Sequence, residues 1–103
     1  MTNVLEKFNY KTQPDASAEA LLQAANKSSE WLKGQPGFHY RTLLQEADGS
    51  WTDLLFWQSE ADLKAADEKF MAADANAAFM ALIDPPTVTR TCYPQKHVAM
   101  GMH

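Results

Sequence analysis

The stretch that decides the fold is Trp51-Thr52-Asp53-Leu54-Leu55-Phe56-Trp57. Trp51, Leu55 and Trp57 stand at its odd positions, Leu54 and Phe56 at its even ones. Successive side chains of a strand point to opposite faces, so this strand is apolar on both and reads as buried on both sides. Phe38 to Glu46 reads as the strand before it, and Leu43-Leu44 repeats the two-faced pattern. Asp48-Gly49 between the two is a tight-turn signal. With Asp48-Gly49 as the whole loop, Ala47 opposes Ser50. Tyr40, Thr42 and Leu44 then share a face with Trp51, Asp53, Leu55 and Trp57, while His39, Arg41 and Leu43 lie with Leu54 and Phe56. A bulge would move one strand's set to the other side.

Outward from this hairpin the chain alternates strand and helix. From Val4 to Lys11, Glu6, Phe8 and Tyr10 alternate with Lys7, Asn9 and Lys11, the period of a strand. After Pro14, Asp15 or Ser17 can cap a helix over Ala16 to Lys33, whose apolar stripe is Leu21, Ala25, Ser28 and Leu32. Gly34 closes it as the residue past the helix end, and Pro36-Gly37 prevents its continuation. Ser59, with Asp62 three residues on, opens a second helix carrying Leu63, Ala66, Phe70 and Ala73. Asp74 is a point of restart or kink, and Ala78, Phe79, Leu82 and Ile83 continue the apolar face to Asp84-Pro85-Pro86. Thr87 to Tyr93 is the last strand, and Pro94 marks an edge.

The order is β-α-β-β-α-β. Its compact form is α+β and ferredoxin-like, a four-stranded antiparallel sheet with both helices on one face. The other face needs a cover, since apolar patches beyond a few hundred Å² are rare on monomers. The economical cover is a second copy of the chain packed sheet to sheet about a two-fold axis.

A length of 103 residues predicts a single domain over 1–103, with a core of about 4–93 and a tail of 94–103. Apolar residues make up 46% and charged residues 21%, the balance of a globular chain rather than a disordered one. The net charge of −4 and the lack of a Lys/Arg cluster make nucleic acid and anionic membrane poor partners. No apolar run is long enough to span a membrane, and Met1 to Lys7 lacks the pattern of a signal peptide. The single cysteine, Cys92, fits a reducing cytoplasm and reads as a small buried residue. No G-x-G-x-x-G or P-loop occurs, and His39, His97 and His103 show no metal-ligand spacing, so no cofactor and no metal is expected. The tail Met100-Gly101-Met102-His103 reads as a frayed terminus rather than a copper site.

Several runs resemble the antibiotic biosynthesis monooxygenase-like group of the dimeric α+β barrel superfamily. They are Pro36-Gly37-Phe38, Asp48 to Asp53, Leu55 to Ala61 and Phe79 to Pro85, and the resemblance extends from Val4 to about Tyr93. It implies a homodimer whose sheets form a shared barrel, with a ligand cavity between sheet and helices in each subunit. The group spans quinone-forming monooxygenases, heme-degrading enzymes and proteins of unknown activity. Heme-degrading relatives carry a second Trp on the helix after the third strand and a His ligand further along. Those positions fall near Ala66 and Asn76 here, and no His occurs between Ser59 and Pro86, which disfavours heme degradation.

Asp53 is the most informative single residue, a carboxylate flanked by Trp51 and Leu55 in the most apolar strand. It is either a general base or substrate anchor, or a structural carboxylate paired with Arg41 or Arg90. His39 and Arg41 are the other catalytic candidates, for proton transfer and for stabilising an anion, or else rim residues of an edge strand. Among the aromatics, Trp57 first, then Trp51 and Phe79, are candidates to line a pocket for a flat, electron-rich ring. The function expected is a cofactor-independent monooxygenase, or a related enzyme, acting on a small aromatic or polyketide-like compound. The alternative is a non-catalytic dimer that binds a small hydrophobic ligand or serves a structural role.

Overall fold

A computed structural model of the chain describes residues 3–99 and Gly101. Met100, Met102 and His103 of the tail lie outside the described residues. The strands are β1 (Val4–Tyr10), β2 (Phe38–Gln45), β3 (Trp51–Trp57) and β4 (Thr89–Pro94). They form one antiparallel sheet in the order β2-β3-β1-β4. Helix α1 (Ala18–Lys33) connects β1 to β2, and α2 (Glu60–Phe70) and α3 (Ala77–Ala81) lie between β3 and β4. This is the ferredoxin-like arrangement, with its second helix in two pieces.

Local chemistry accounts for the element ends. Of the two candidate caps, Ser17 is the one used, its hydroxyl accepting from the Ala20 N–H at 3.1 Å. The stripe Leu21, Ala25, Ser28 and Leu32 is buried, as its spacing predicts. Gly34, expected just past the helix end, instead keeps a right-handed φ of −83° as the cap; the left-handed glycine is Gly37, with φ 79°. Ser59 accepts the Asp62 N–H at 3.1 Å and donates its hydroxyl back to Asp62 Oδ2 at 2.9 Å. Asp74 marks a restart, because a 3-10 turn over Asp74–Asn76 leads into α3. β4 begins at Thr89 rather than Thr87, since a second 3-10 turn takes Pro85–Thr87.

The hairpin corrects the expected parity. Its loop has three residues, Ala47-Asp48-Gly49, closed by the Glu46 N–H donating to Ser50 O at 2.8 Å. Gly49 takes φ 88°, the left-handed position that three-residue hairpin loops require. Gln45 therefore opposes Trp51, Leu43 opposes Asp53 and Arg41 opposes Leu55. That one-residue difference turns β2 over. Arg41 and Leu43 join Asp53, Leu55 and Trp57 beneath the helices, and Tyr40, Thr42 and Leu44 face the open side. A bulge at His39 then brings Phe38 opposite Trp57.

Under the helices the core has two halves. Val4, Leu32, Leu55, Trp57, Leu63 and Ala66 form one, and Tyr10, Leu21, Ala25, Trp51 and Phe79 the other; Phe8 and Phe70 pack against both. The open face carries Tyr40, Phe56, Leu5 and Tyr93 in one row across all four strands. Tyr40 and Phe56 stack with ring centroids 4.6 Å apart. Among the described residues, no helix is long and apolar enough to cross a membrane.

Candidate functional site

A cavity of about 440 Å³ lies between the helix-facing side of the sheet and the α2–α3 segment. Phe8, Leu55, Trp57, Phe70, Phe79 and Met80 give it apolar walls. Its polar groups form two clusters, one around Asp53 and one around Glu6.

In the first cluster Arg41 grips Asp53 with both edges of its fork. Nε donates to Oδ1 at 2.9 Å and Nη2 to Oδ2 at 2.6 Å. The Tyr10 hydroxyl also donates to Oδ2, at 3.2 Å. The remaining nitrogen of the guanidinium, Nη1, donates to Ser28 Oγ at 3.3 Å and Ser29 Oγ at 3.2 Å on α1, and the group lies 4.7 Å above the Phe79 ring. The two charged side chains are only 6% and 4% exposed. Burial alone would lower the Arg41 pKa, but the hydrogen bonds and charge of Asp53 outweigh it and raise it. Burial, then the Asp53 charge, pushes the Tyr10 phenol well up. Asp53 and Arg41 thus meet each other, and of the two arginines weighed as partners Arg41 is the one that holds Asp53.

The second cluster was not singled out by the sequence reading. Glu6 of β1 is 1% exposed. Its Oε1 accepts from the Trp57 indole N–H at 3.3 Å, and its Oε2 from Arg90 Nε at 2.8 Å. Arg90, on β4, also bonds Asp67 of α2. Burial pushes the Glu6 carboxyl up to about 7, the Asp67 charge adding to it and Arg90 opposing. The signal that could have found it was present in β1, where Glu6 shares the parity of Phe8 and Tyr10.

The other candidates divide. Trp57 and Phe79 line the cavity. Trp51 is buried in the core beside it, against Tyr10 and Phe79, and does not line it. His39 is exposed at the bulge, away from the cavity. Cys92, expected buried, is exposed, as are all six residues of the edge strand β4. Asn76 is fully buried and donates to Phe70 O at 3.0 Å, tying the break between α2 and α3.

No protein-family model matches the chain, and no curated protein matches it significantly. Solved structures do. SnoaB, a cofactor-independent oxygenase from Streptomyces nogalater, superposes with a TM-score of 0.77 at 17% identity, covering 95% of this chain and 97% of that one. The protein Rv0793 from Mycobacterium tuberculosis gives 0.69 at 18% identity, over 95% and 99% of the two chains. A Nitrosomonas europaea protein assigned provisionally to the antibiotic biosynthesis monooxygenases gives 0.72 at 16% identity, over 92% and 91%. The chain has the ferredoxin-like α+β fold of the antibiotic biosynthesis monooxygenase-like proteins.

Proposed function

We propose that this chain is a cytoplasmic, homodimeric, cofactor-independent oxygenase that acts on a small, flat aromatic compound of polyketide type. The observation that carries the reading is Glu6, a buried carboxyl held near neutrality on the wall of an apolar cavity. The substrate is a hydroxylated ring system with an acidic CH₂, as in an anthrone. Glu6 takes one proton from that carbon. The resulting anion gives its electrons to dioxygen, a C–O bond forms, and Glu6 returns its proton to the outer peroxide oxygen. The hydroperoxide then loses water with the second hydrogen, so CH₂ and O₂ become C=O and H₂O. Trp57 and Arg90 hold the Glu6 oxygens in place, and the Arg41–Asp53–Tyr10 cluster is a fixed polar wall that orients the ring. In this reading Asp53 and Arg41 position the substrate, and His39 has no part in the chemistry.

Two further observations support the reading. The oxygenase SnoaB shares the fold. The row Tyr40–Phe56–Leu5–Tyr93 on the open face suits a sheet-to-sheet dimer. The test is oxygen uptake with 1,8-dihydroxyanthrone as probe. Uptake should match anthraquinone formation one to one, and Glu6→Gln should slow it by about 10²-fold. Binding of the probe with no uptake above its spontaneous oxidation would refute catalysis and leave a ligand-binding dimer.

A further inference from the structure

We propose that the ligand site has a second part: the cavity continues past Arg90 and Asp67 into an outer groove that takes an alkyl or acyl chain joined to the ring through oxygen. The proposal rests on the inner cavity being the ring site. The groove, about 460 Å³, lies between α2 and β4, and it shares only Asp67 and Arg90 with the lining of the inner cavity. These two side chains form an ion pair and are 38% and 43% exposed. Glu6 behind them is buried. The partition between the two spaces is therefore a partly exposed ion pair, a contact of small net worth that yields readily. Arg90 can let go of Asp67 and stay anchored, because its Nε holds Glu6 independently.

The chemistry of the two walls names the ligand. Val4, Leu63 and Pro94 give the groove an apolar floor, and Glu60, Lys64 and Glu68 give it a charged rim. A hydrocarbon chain laid on that floor with its end in water fits this pattern. At the neck, the partly exposed Asp67 carboxylate turns to water when the pair opens, and the Arg90 guanidinium it leaves behind offers only donors. The atom that crosses the neck should therefore accept hydrogen bonds, as an ether or ester oxygen does. The ligand class is an oxygenated aromatic carrying a short chain through oxygen.

Cys92, the single cysteine of the chain, lines the groove and is exposed, which makes it a reporter in the unmodified protein. The probes are 2-naphthol and 6-hexyloxy-2-naphthol, with binding read by tryptophan fluorescence. The hexyl ether should bind at least about tenfold more tightly, the effect of roughly two fully buried methylenes. At saturation it should slow alkylation of Cys92 by N-ethylmaleimide about tenfold or more, and 2-naphthol should not. After alkylation the ratio of the two affinities should fall to about one. Equal affinities in the unmodified protein, or hexyl-ether binding that leaves alkylation unchanged, would overturn the second subsite while 2-naphthol binding still upheld the ring site. Binding of neither probe would overturn both.

Discussion

Replacing Asp53 by Asn removes one charge at nearly constant shape, and the structure sets the size of the effect. Arg41 loses the carboxylate that holds it, and an amide NH₂ turns toward a guanidinium that has donors alone. Ser28, Ser29 and the Phe79 ring remain beside it, but none carries a negative charge. Both side chains are under 7% exposed, so bulk solvent gives little in place of the lost partner. Breaking one side of such a buried pair costs roughly 3–5 kcal/mol. Against a total stability of about 5–15 kcal/mol this is a large fraction. In a chain of this length it should lower Tm by more than about 10 °C, measured at fixed protein concentration because dimerisation would shift Tm too. The companion is the double variant Asp53→Leu/Arg41→Met, which removes both charges and should recover most of the loss, since apolar replacement of a buried pair is often neutral or better. If Asp53→Asn melts within about 2 °C of the parent, the carboxylate is not the counter-ion of Arg41 and is free for chemistry.

Three other perturbations follow from the same geometry. Glu6 has its folded pKa raised from 4.5 to about 7. Between those values the folded state holds a proton that the unfolded state releases, so this group's contribution to stability is fully present below pH 4.5 and is lost as pH rises to about 7. Glu6→Gln should remove that slope and gain on the order of 3 kcal/mol over the parent at pH 8, but little at pH 4, by urea unfolding; equal slopes in the two proteins would contradict a buried, proton-holding Glu6. Phe56→Asp puts a charge into the open-face row, and sedimentation should show a shift from twice 11.5 kDa toward the single-chain mass or unfolding; an intact dimer would mean the two copies meet elsewhere. Gly37→Ala should lower stability by about 1–3 kcal/mol, because φ is +79° there and a Cβ would run into the Asp62 side chain; an unchanged Tm would show that the turn relaxes freely.

The fold was legible because its signals are local and repeated. The stripe Leu21, Ala25, Ser28 and Leu32, the Ser59–Asp62 cap and the stop at Asp84-Pro85-Pro86 each depend on a few neighbouring residues, and the βαββαβ order follows from them. The face of β2 was less legible because it depends on one residue of loop length. Asp48-Gly49 suits a two-residue turn, yet Gly49 in the left-handed region closes a three-residue loop equally well. That single difference moved Arg41 from the far side of the sheet to the Asp53 carboxylate. Ion-pair choice was open for the same reason. Arg41 and Arg90 stand on opposite edge strands, and only the register shows which carboxylate each one meets.

The two clusters divide the labour of the site by the ratio of cations to carboxylates. Around Asp53 the charges balance one to one, and Tyr10, Ser28 and Ser29 complete the remaining hydrogen bonds. A carboxylate so held has a rigid geometry, which suits a wall. Around Glu6 one guanidinium serves two carboxylates, Glu6 and Asp67. Burial raises the more deeply placed of the two carboxyls most, and the second negative charge adds to it. Glu6 is that member at 1% exposed, and Asp67 on the half-open side keeps contact with water. Paired titratable groups whose environments differ in this way tend to separate into an ionised partner and a proton-exchanging one. The difference traces to strand position. Asp53 lies on β3, beside the edge strand that supplies Arg41, whereas Glu6 lies on β1, beside the edge strand that supplies Arg90 and facing the helix that supplies Asp67. Burial therefore leads in raising the proton affinity of Glu6, and Asp67, at the neck of the cavity, adds its charge while Arg90 opposes it.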